Sequence, residues 1–170
     1  MNSKAKGSRG EREVVALLRE WWGDDSFVRA PESGALSTAM EGTKAPKDVV
    51  GRLAGDILAP ADFPFCVEVK FYKEIDLWQT FKGSTKSQLS KWWKQVTHDA
   101  ERSERWPMLL FKANHKPWMV AVRDWVLSLG PEPGTVLYAV INLDRVAILS
   151  FESFKQSIFK DSVLQYLRDQ

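Results

Sequence analysis

The sequence predicts an α/β fold, a mixed central sheet with helices packed on it. Three patterns predict this. Apolar residues recur at helical spacing over residues 8–22, and again from about Ser87 to Arg105. Between these helices, residues 55–73 hold two β-prone segments around a Pro-containing turn. Beyond the second helix, dense apolar segments at 106–112, 117–122, 135–141 and 145–150 alternate with turn residues.

The size suits one domain. A chain of 170 residues can bury a sizeable core, and 44% hydrophobic with 27% charged residues is ordinary for a globular protein. A formal charge of +2 is too small to diagnose a nucleic-acid partner, so any electrostatic footprint must be local. The single Cys66 excludes an internal disulfide framework, and His98 and His115 alone make no zinc cluster. No apolar run approaches the roughly twenty residues of a membrane span, and the polar N-terminus lacks a signal-peptide core. A cytoplasmic protein with no membrane partner is expected.

Taken in order, residues 1–8 read as a short, mobile basic arm carrying Lys4 and Lys6. The first helix then starts at Ser8, a good N-cap, with Glu11 completing a capping box. Val14, Val15, Leu17, Leu18 and Trp21 supply its buried stripe, and Gly23 stops it. Residues 26–30 form a short strand ended by Pro31. Residues 32–47 are small and polar, a mobile loop directly before the strands of residues 55–73. Whether a strand or bulge begins at 48–53 stays open.

The second helix carries Leu89, Trp92, Trp93, Val96 and Ala100 on its buried side. Helical spacing assigns both tryptophans to core or dimer contact rather than to base stacking. Residues 106–122 read as a hairpin across Asn114–His115–Lys116, and residues 135–150 as another. A final amphipathic helix runs from about Phe151, with Phe154, Ile158, Leu164 and Leu167 on its apolar side. Residues 130–170 look like a C-terminal elaboration of the same domain.

Chemistry concentrates at residues 55–73. Glu68 and Lys70 share one face of the second strand, while Val67, Val69 and Phe71 turn to the other. If the two strands pair, Asp56 meets Glu68 and Lys70 at one point on the sheet. Two acids brought together repel and are seldom buried without a partner. A divalent metal resolves that conflict, because hard Mg²⁺ takes oxygen ligands, uses one or two carboxylates and keeps waters for phosphate chemistry.

Asp56, eleven intervening residues, then Glu68-Val69-Lys70 resembles the signature of the PD-(D/E)xK nuclease superfamily. Gly55 stands where that signature has proline. Gly-Ser-Arg-Gly-Glu-Arg-Glu-Val-Val-Ala-Leu-Leu at 7–18 is similar to the opening helix of archaeal-type Holliday junction resolvases, and the Arg29–Gly34 segment is similar to their serine-bearing loop. The resemblance covers roughly residues 8–122. It implies a restriction-endonuclease-like fold and metal-dependent cutting of four-way DNA junctions by a homodimer, in a phage-borne relative.

The resemblance also implies a set of residues. Asp56 and Glu68 hold Mg²⁺, with Mn²⁺ as an alternative, the Val69 carbonyl is an extra ligand, and Glu11 assists from the first helix. Lys70 orients or activates the water. Ser33 binds a phosphate or water, and Gln95 reaches the site from the second helix, with Gln88 as its rival. The basic residues are read as a phosphate track: Lys4, Lys6, Arg9, Arg12, Arg29, Lys44, Lys47, Arg52, Lys73 and Lys86, in company with Lys82, Lys91 and Lys94. The loop at 32–47 would close over DNA. The hairpin 109–122 and the tryptophan-bearing helix are expected to provide the dimer interface. Another endonuclease on the same scaffold, restriction-like or a replication or repair nickase, and a junction-binding module without catalysis remain the alternatives.

Overall fold

A computed structural model describes residues 3–30 and 54–170. Ser33, Lys44, Lys47, Arg52 and the loop expected at 32–47 lie outside the described residues, as does the side chain of Lys4.

Helix α1 spans Ser3–Trp22. It begins five residues before the expected Ser8 cap, so residues 3–8 form its first turns and not a frayed arm. Lys4, Ala5 and Lys6 are good helix formers, and Lys6 is anchored far away in sequence: its Nζ donates to Asn114 Oδ1 at 3.0 Å and lies over the Phe71 ring. Ser8 therefore cannot cap the helix, and Glu11 projects from the helix interior and not from a capping box. Gly10 lets the helix approach the sheet, since a Cβ there would meet Phe71 Cβ at 3.0 Å.

Strand β1 (Val28–Arg29) pairs antiparallel with β2 (Ile57–Leu58) in a small two-stranded ladder. The main sheet has five strands: β3 (Phe65–Tyr72), β4 (Trp106–Ala113), β5 (Met119–Arg123), β6 (Leu137–Ile141) and β7 (Asp144–Ser150). Their order is β3-β4-β5-β7-β6, with β3 and β4 parallel and the other neighbours antiparallel. A mixed sheet is thus observed as expected, but β2 is not the hairpin partner of β3. The chain turns at Gly55, and β2 joins β1 instead.

The remaining helices are α2 (Trp78–Phe81), α3 (Gln88–Arg102), α4 (Phe151–Ser157) and α5 (Lys160–Arg168), with a 3₁₀ segment at Asp124–Leu129. Ser87 caps α3 by accepting from the Ser90 N–H at 3.1 Å. The single helix expected from Phe151 is two helices, broken where Ile158 turns to extended backbone.

Period-two alternation divides the core between the two faces of the sheet. Val67, Val69, Met108, Leu110, Val120, Val122, Ala147 and Leu149 pack with Val14, Leu18 and Trp22 of α1 and with Phe151, Phe154, Ile158 and Val163 from the C-terminal helices. Leu109, Phe111, Ala121, Val146 and Ile148 pack on the other face with Leu89, Trp92, Trp93 and Val96 of α3. Residues 130–170 are therefore built into the sheet and core, because β7 lies between β5 and β6. The expected dimer interface is also ruled out in that place. Leu109, Val120, Ala121, Val122 and Trp93 are fully buried within one chain, and Trp93 Nε1 donates to Asp144 Oδ2 at 2.9 Å.

Candidate active site

The site forms at the β3 edge of the sheet. Gly55 makes it. Its φ is +82°, and a Cβ there would stand 2.5 Å from the Val67 carbonyl oxygen. Only glycine fits both the left-handed backbone and the close approach. The approach lets the Asp56 N–H donate to Val67 O at 2.8 Å, while the Val69 N–H donates to Asp56 Oδ2 at 2.8 Å. Asp56 is thus strapped to β3 by backbone and side chain together. Asp56 O accepts from the Ala30 N–H at 2.9 Å, which ties the turn to β1 as well. The Val69 N–H leaves β3 on the side away from β4, and in a strand a residue's C=O points the same way as its N–H. The Val69 carbonyl therefore faces the edge where Asp56 sits.

Glu68 and Lys70 point to the α3 face. Glu68 is 2% exposed. Gln95 Nε2 donates to Glu68 Oε1 at 2.8 Å, Lys70 Nζ donates to Gln95 Oε1 at 3.3 Å, and Lys70 Nζ pairs directly with Glu68 Oε1. Gln95 is the helix glutamine that reaches the cluster. Gln88, two turns earlier, accepts from the Asp76 N–H and serves the loop before α2.

Burial pushes the Glu68 carboxyl up to about 7, and the negative charge of Asp56 adds to it. Burial pulls Lys70 down, but Glu68, by charge and hydrogen bond, and then Asp56 outweigh it, so its pKa is raised on balance. Lys70 is an ammonium at neutral pH.

Glu11, on α1, has a partner of its own. Arg29 Nε donates to Glu11 Oε2 at 2.6 Å, and Arg29 Nη2 donates to Ser8 Oγ at 3.2 Å. Arg29 sits opposite Ile57 in the β1–β2 ladder, so one clamp links α1 to the turn that carries Asp56. Arg29, expected from sequence to contact phosphate, is held in this clamp, for which sequence carries no signal. A second unforeseen network fixes α1: Glu13 accepts from Lys112 Nζ at 2.9 Å, Trp118 Nε1 at 3.0 Å and Arg9 Nε at 2.9 Å. Burial opposes these bonds, yet together they hold the Glu13 carboxyl below its usual range.

The other basic residues divide. Lys6 and Arg9 are engaged within the chain, whereas Lys73 and Lys86 are exposed beyond β3 and before α3. Arg12 and Arg29 line an open groove of about 560 Å³ between α1 and β1, with Arg19 beside them and Val15, Ala16 and Val28 as its floor.

The donor set fits a hard divalent cation. Two carboxylates and a main-chain carbonyl share the β3 edge, and burial of Glu68 beside the Asp56 charge, which raises its carboxyl, is what such an ion would offset. Among the described residues no third His, Cys, Asp or Glu joins them.

The sequence matches the family model of phage putative PDDEXK endonucleases over residues 2–164. The chain belongs to this family. It is also 32% identical over 126 residues to protein D14 of Escherichia phage T5, an alignment covering 72% of this chain and 71% of that one. A solved structure of Hjc, a Holliday junction resolvase from Archaeoglobus fulgidus, aligns with a TM-score of 0.40 and 13% identity over 94% of this chain and 96% of that one. As a PDDEXK endonuclease the protein is a nuclease. Asp56, Glu68 and Lys70, which carry the signature-like spacing in the sequence, are brought together at the β3 edge. No described helix is long and apolar enough to cross a membrane.

Proposed function

We propose that the protein is a Mg²⁺-dependent endodeoxyribonuclease that resolves four-way DNA junctions by paired phosphodiester hydrolysis, acting as a homodimer. The observation that carries the nuclease chemistry is the strapping of Asp56 against Glu68 and Lys70 on β3. Asp56 and Glu68 would hold the ion, with the Val69 carbonyl as a further ligand. The chemistry that Mg²⁺, or Mn²⁺ in its place, would supply when bound is charge neutralisation at the scissile phosphate and a water that ionises more readily. The Val69 N–H fixes the orientation of the Asp56 carboxylate, which need not reorganise during reaction.

Lys70 stabilises charge on the phosphate and orients or activates the attacking water. Gln95 bridges Glu68 and Lys70 and keeps both aligned without altering the charge of the site. Glu11 assists through water from α1, positioned by Arg29. Arg12, Lys73 and Lys86 contact phosphates and supply affinity without sequence preference; Arg29, read from sequence as another, is engaged by Glu11 and Ser8. Lys44, Lys47, Arg52 and Ser33 are proposed to add to these contacts on grounds of sequence alone.

The junction assignment rests on the similarity of residues 7–18 and 29–34 to archaeal-type resolvases, and the dimer on the need for two cuts on opposing strands. Asp56→Asn and Glu68→Gln test the mechanism. Each is expected to abolish cutting and leave junction binding largely intact. Loss of binding and of the folded state together would assign these residues a structural role instead.

A further inference from the structure

We propose that the outer edge of β6, with the adjoining helical turn α2, is the surface on which a second copy of this chain docks. The inference rests on the dimeric reading above and replaces the interface expected from sequence, which is buried.

Strand β6 is the last of the sheet and pairs only with β7 among the described residues. Residues 135–143, Thr-Val-Leu-Tyr-Ala-Val-Ile-Asn-Leu, carry no charge. Edge strands are ordinarily protected by lysine, proline or a bulge, and an exposed apolar edge is a template for another strand. Here Tyr138 is 60% exposed and Val140 66%, on the face of Ala147, while Leu137 is exposed on the opposite face. Helix α2 touches β6 and adds Trp78, 73% exposed, and Phe81. This turn is a firm platform: Thr80 is buried against Ser87, its hydroxyl donating at 3.0 Å, and the Trp78 N–H donates to Asp76.

The turn between β6 and β7 adds an independent observation. Asn142 and Leu143 both have positive φ, +51° and +74°, in a two-residue connection of the kind that favours Asn-Gly. Leucine takes the glycine position, at a conformational cost, and its side chain is 96% exposed. The Asn142 amide donates to Ser90 O at 3.1 Å and fixes the tip to α3. Backbone strain combined with a solvent-facing leucine points to an anchor for a partner.

Self-pairing suits this surface. Antiparallel pairing of β6 with its own copy about a twofold axis opposes an uncharged strand to itself, with no like-charge conflict. Arg145, the nearest cation on β7, is already paired with Asp124 at 2.8 Å. The exposed parts of Trp78, Phe81, Leu137, Tyr138, Val140 and Leu143 total on the order of 700 Å² over both faces of the edge, an upper bound on the apolar area each copy could bring towards the ~800 Å² of a standard interface. Since β3 is at the opposite edge, the two active sites would stand at the far ends of one continuous sheet.

Sedimentation of the full chain at tens of micromolar, without DNA, tests the proposal. The wild type is expected to be a dimer. Tyr138→Asp with Val140→Asp is expected to give a monomer with the wild-type circular dichroism spectrum. Leu143→Gly, which relieves the turn, is expected to raise the melting temperature while weakening self-association at least tenfold. A monomeric wild type, or a dimer that survives both variants, would overturn the proposal. Nicking assays run in parallel separate the readings: a cutting monomer sinks the interface and the dimer but keeps the nuclease, and a dimer that cuts no DNA sinks the nuclease reading alone.

Discussion

Replacing Gly55 with alanine perturbs the site without touching a charged group, so its effect can be worked from geometry. At φ +82° an L-residue costs on the order of 1 kcal/mol relative to glycine. The added Cβ would sit 2.5 Å from Val67 O, a distance that backbone cannot keep, so the turn must move away from β3. Movement breaks the Asp56 N–H to Val67 O bond and strains the Val69 N–H to Asp56 Oδ2 bond, another ~1 kcal/mol or so each. The sum is about 2–3 kcal/mol. For a chain of this size that lowers the melting temperature by roughly 5–10 °C. The folded fraction at 25 °C stays high, yet Asp56 is displaced by several tenths of an ångström, so cutting should fall by roughly tenfold. Thermal unfolding and nicking rates on the same preparation check both numbers. An alanine variant with wild-type stability and wild-type cutting would refute the account of why glycine stands before Asp56.

Three further outcomes follow from the site. Glu68 holds its proton more tightly folded, at about 7, than at the ordinary 4.5, so its contribution to stability is fully present below pH 4.5 and is lost as pH rises through 7. In chelator, Glu68→Gln should therefore gain on the wild type across that window by on the order of 3 kcal/mol, read by denaturant titration; parallel pH profiles would contradict the raised carboxyl. Lys70→Met should lower the cutting rate by roughly a hundredfold and leave junction affinity within a few-fold, as loss of a charge-stabilising group does; an unchanged rate at pH 8 would remove Lys70 from the chemistry. Arg29→Lys removes the two-pronged clamp on Glu11 and Ser8 but keeps the charge. Its melting temperature should barely move, since the pair is partly exposed, while cutting falls at least tenfold; equal cutting would show that Glu11 needs no clamp.

Much of the site was legible because it is local. The alternation of Glu68 and Lys70 against Val67, Val69 and Phe71 depends only on the period of a strand, whereas Gln95 came from the family resemblance, with Gln88 as its rival. What escaped the sequence depends on distant partners. Helix α1 reaches back to Ser3 because Lys6 finds Asn114 and Phe71 across the fold. The strand after Asp56 does not pair with β3, because it pairs with β1, nearly thirty residues earlier, and a positive φ at Gly55 turns the chain. The clamp of Arg29 on Glu11 joins two segments with no periodic relation. Residues 130–170 looked like an addition because their apolar segments show no chemistry. The place of β7 between β5 and β6 is set by pairing across the sheet, which periodicity does not encode.

The central claim is most directly tested by cleavage of a labelled immobile four-way junction beside a linear duplex, with Mg²⁺ and with chelator, for the wild type and Asp56→Asn. Paired symmetric nicks in the junction, with the duplex spared and every cut lost in chelator or in the variant, are predicted. Equal cutting of both substrates would keep the metal site and discard the junction. Tight binding with no cutting of either would contradict the account as a whole.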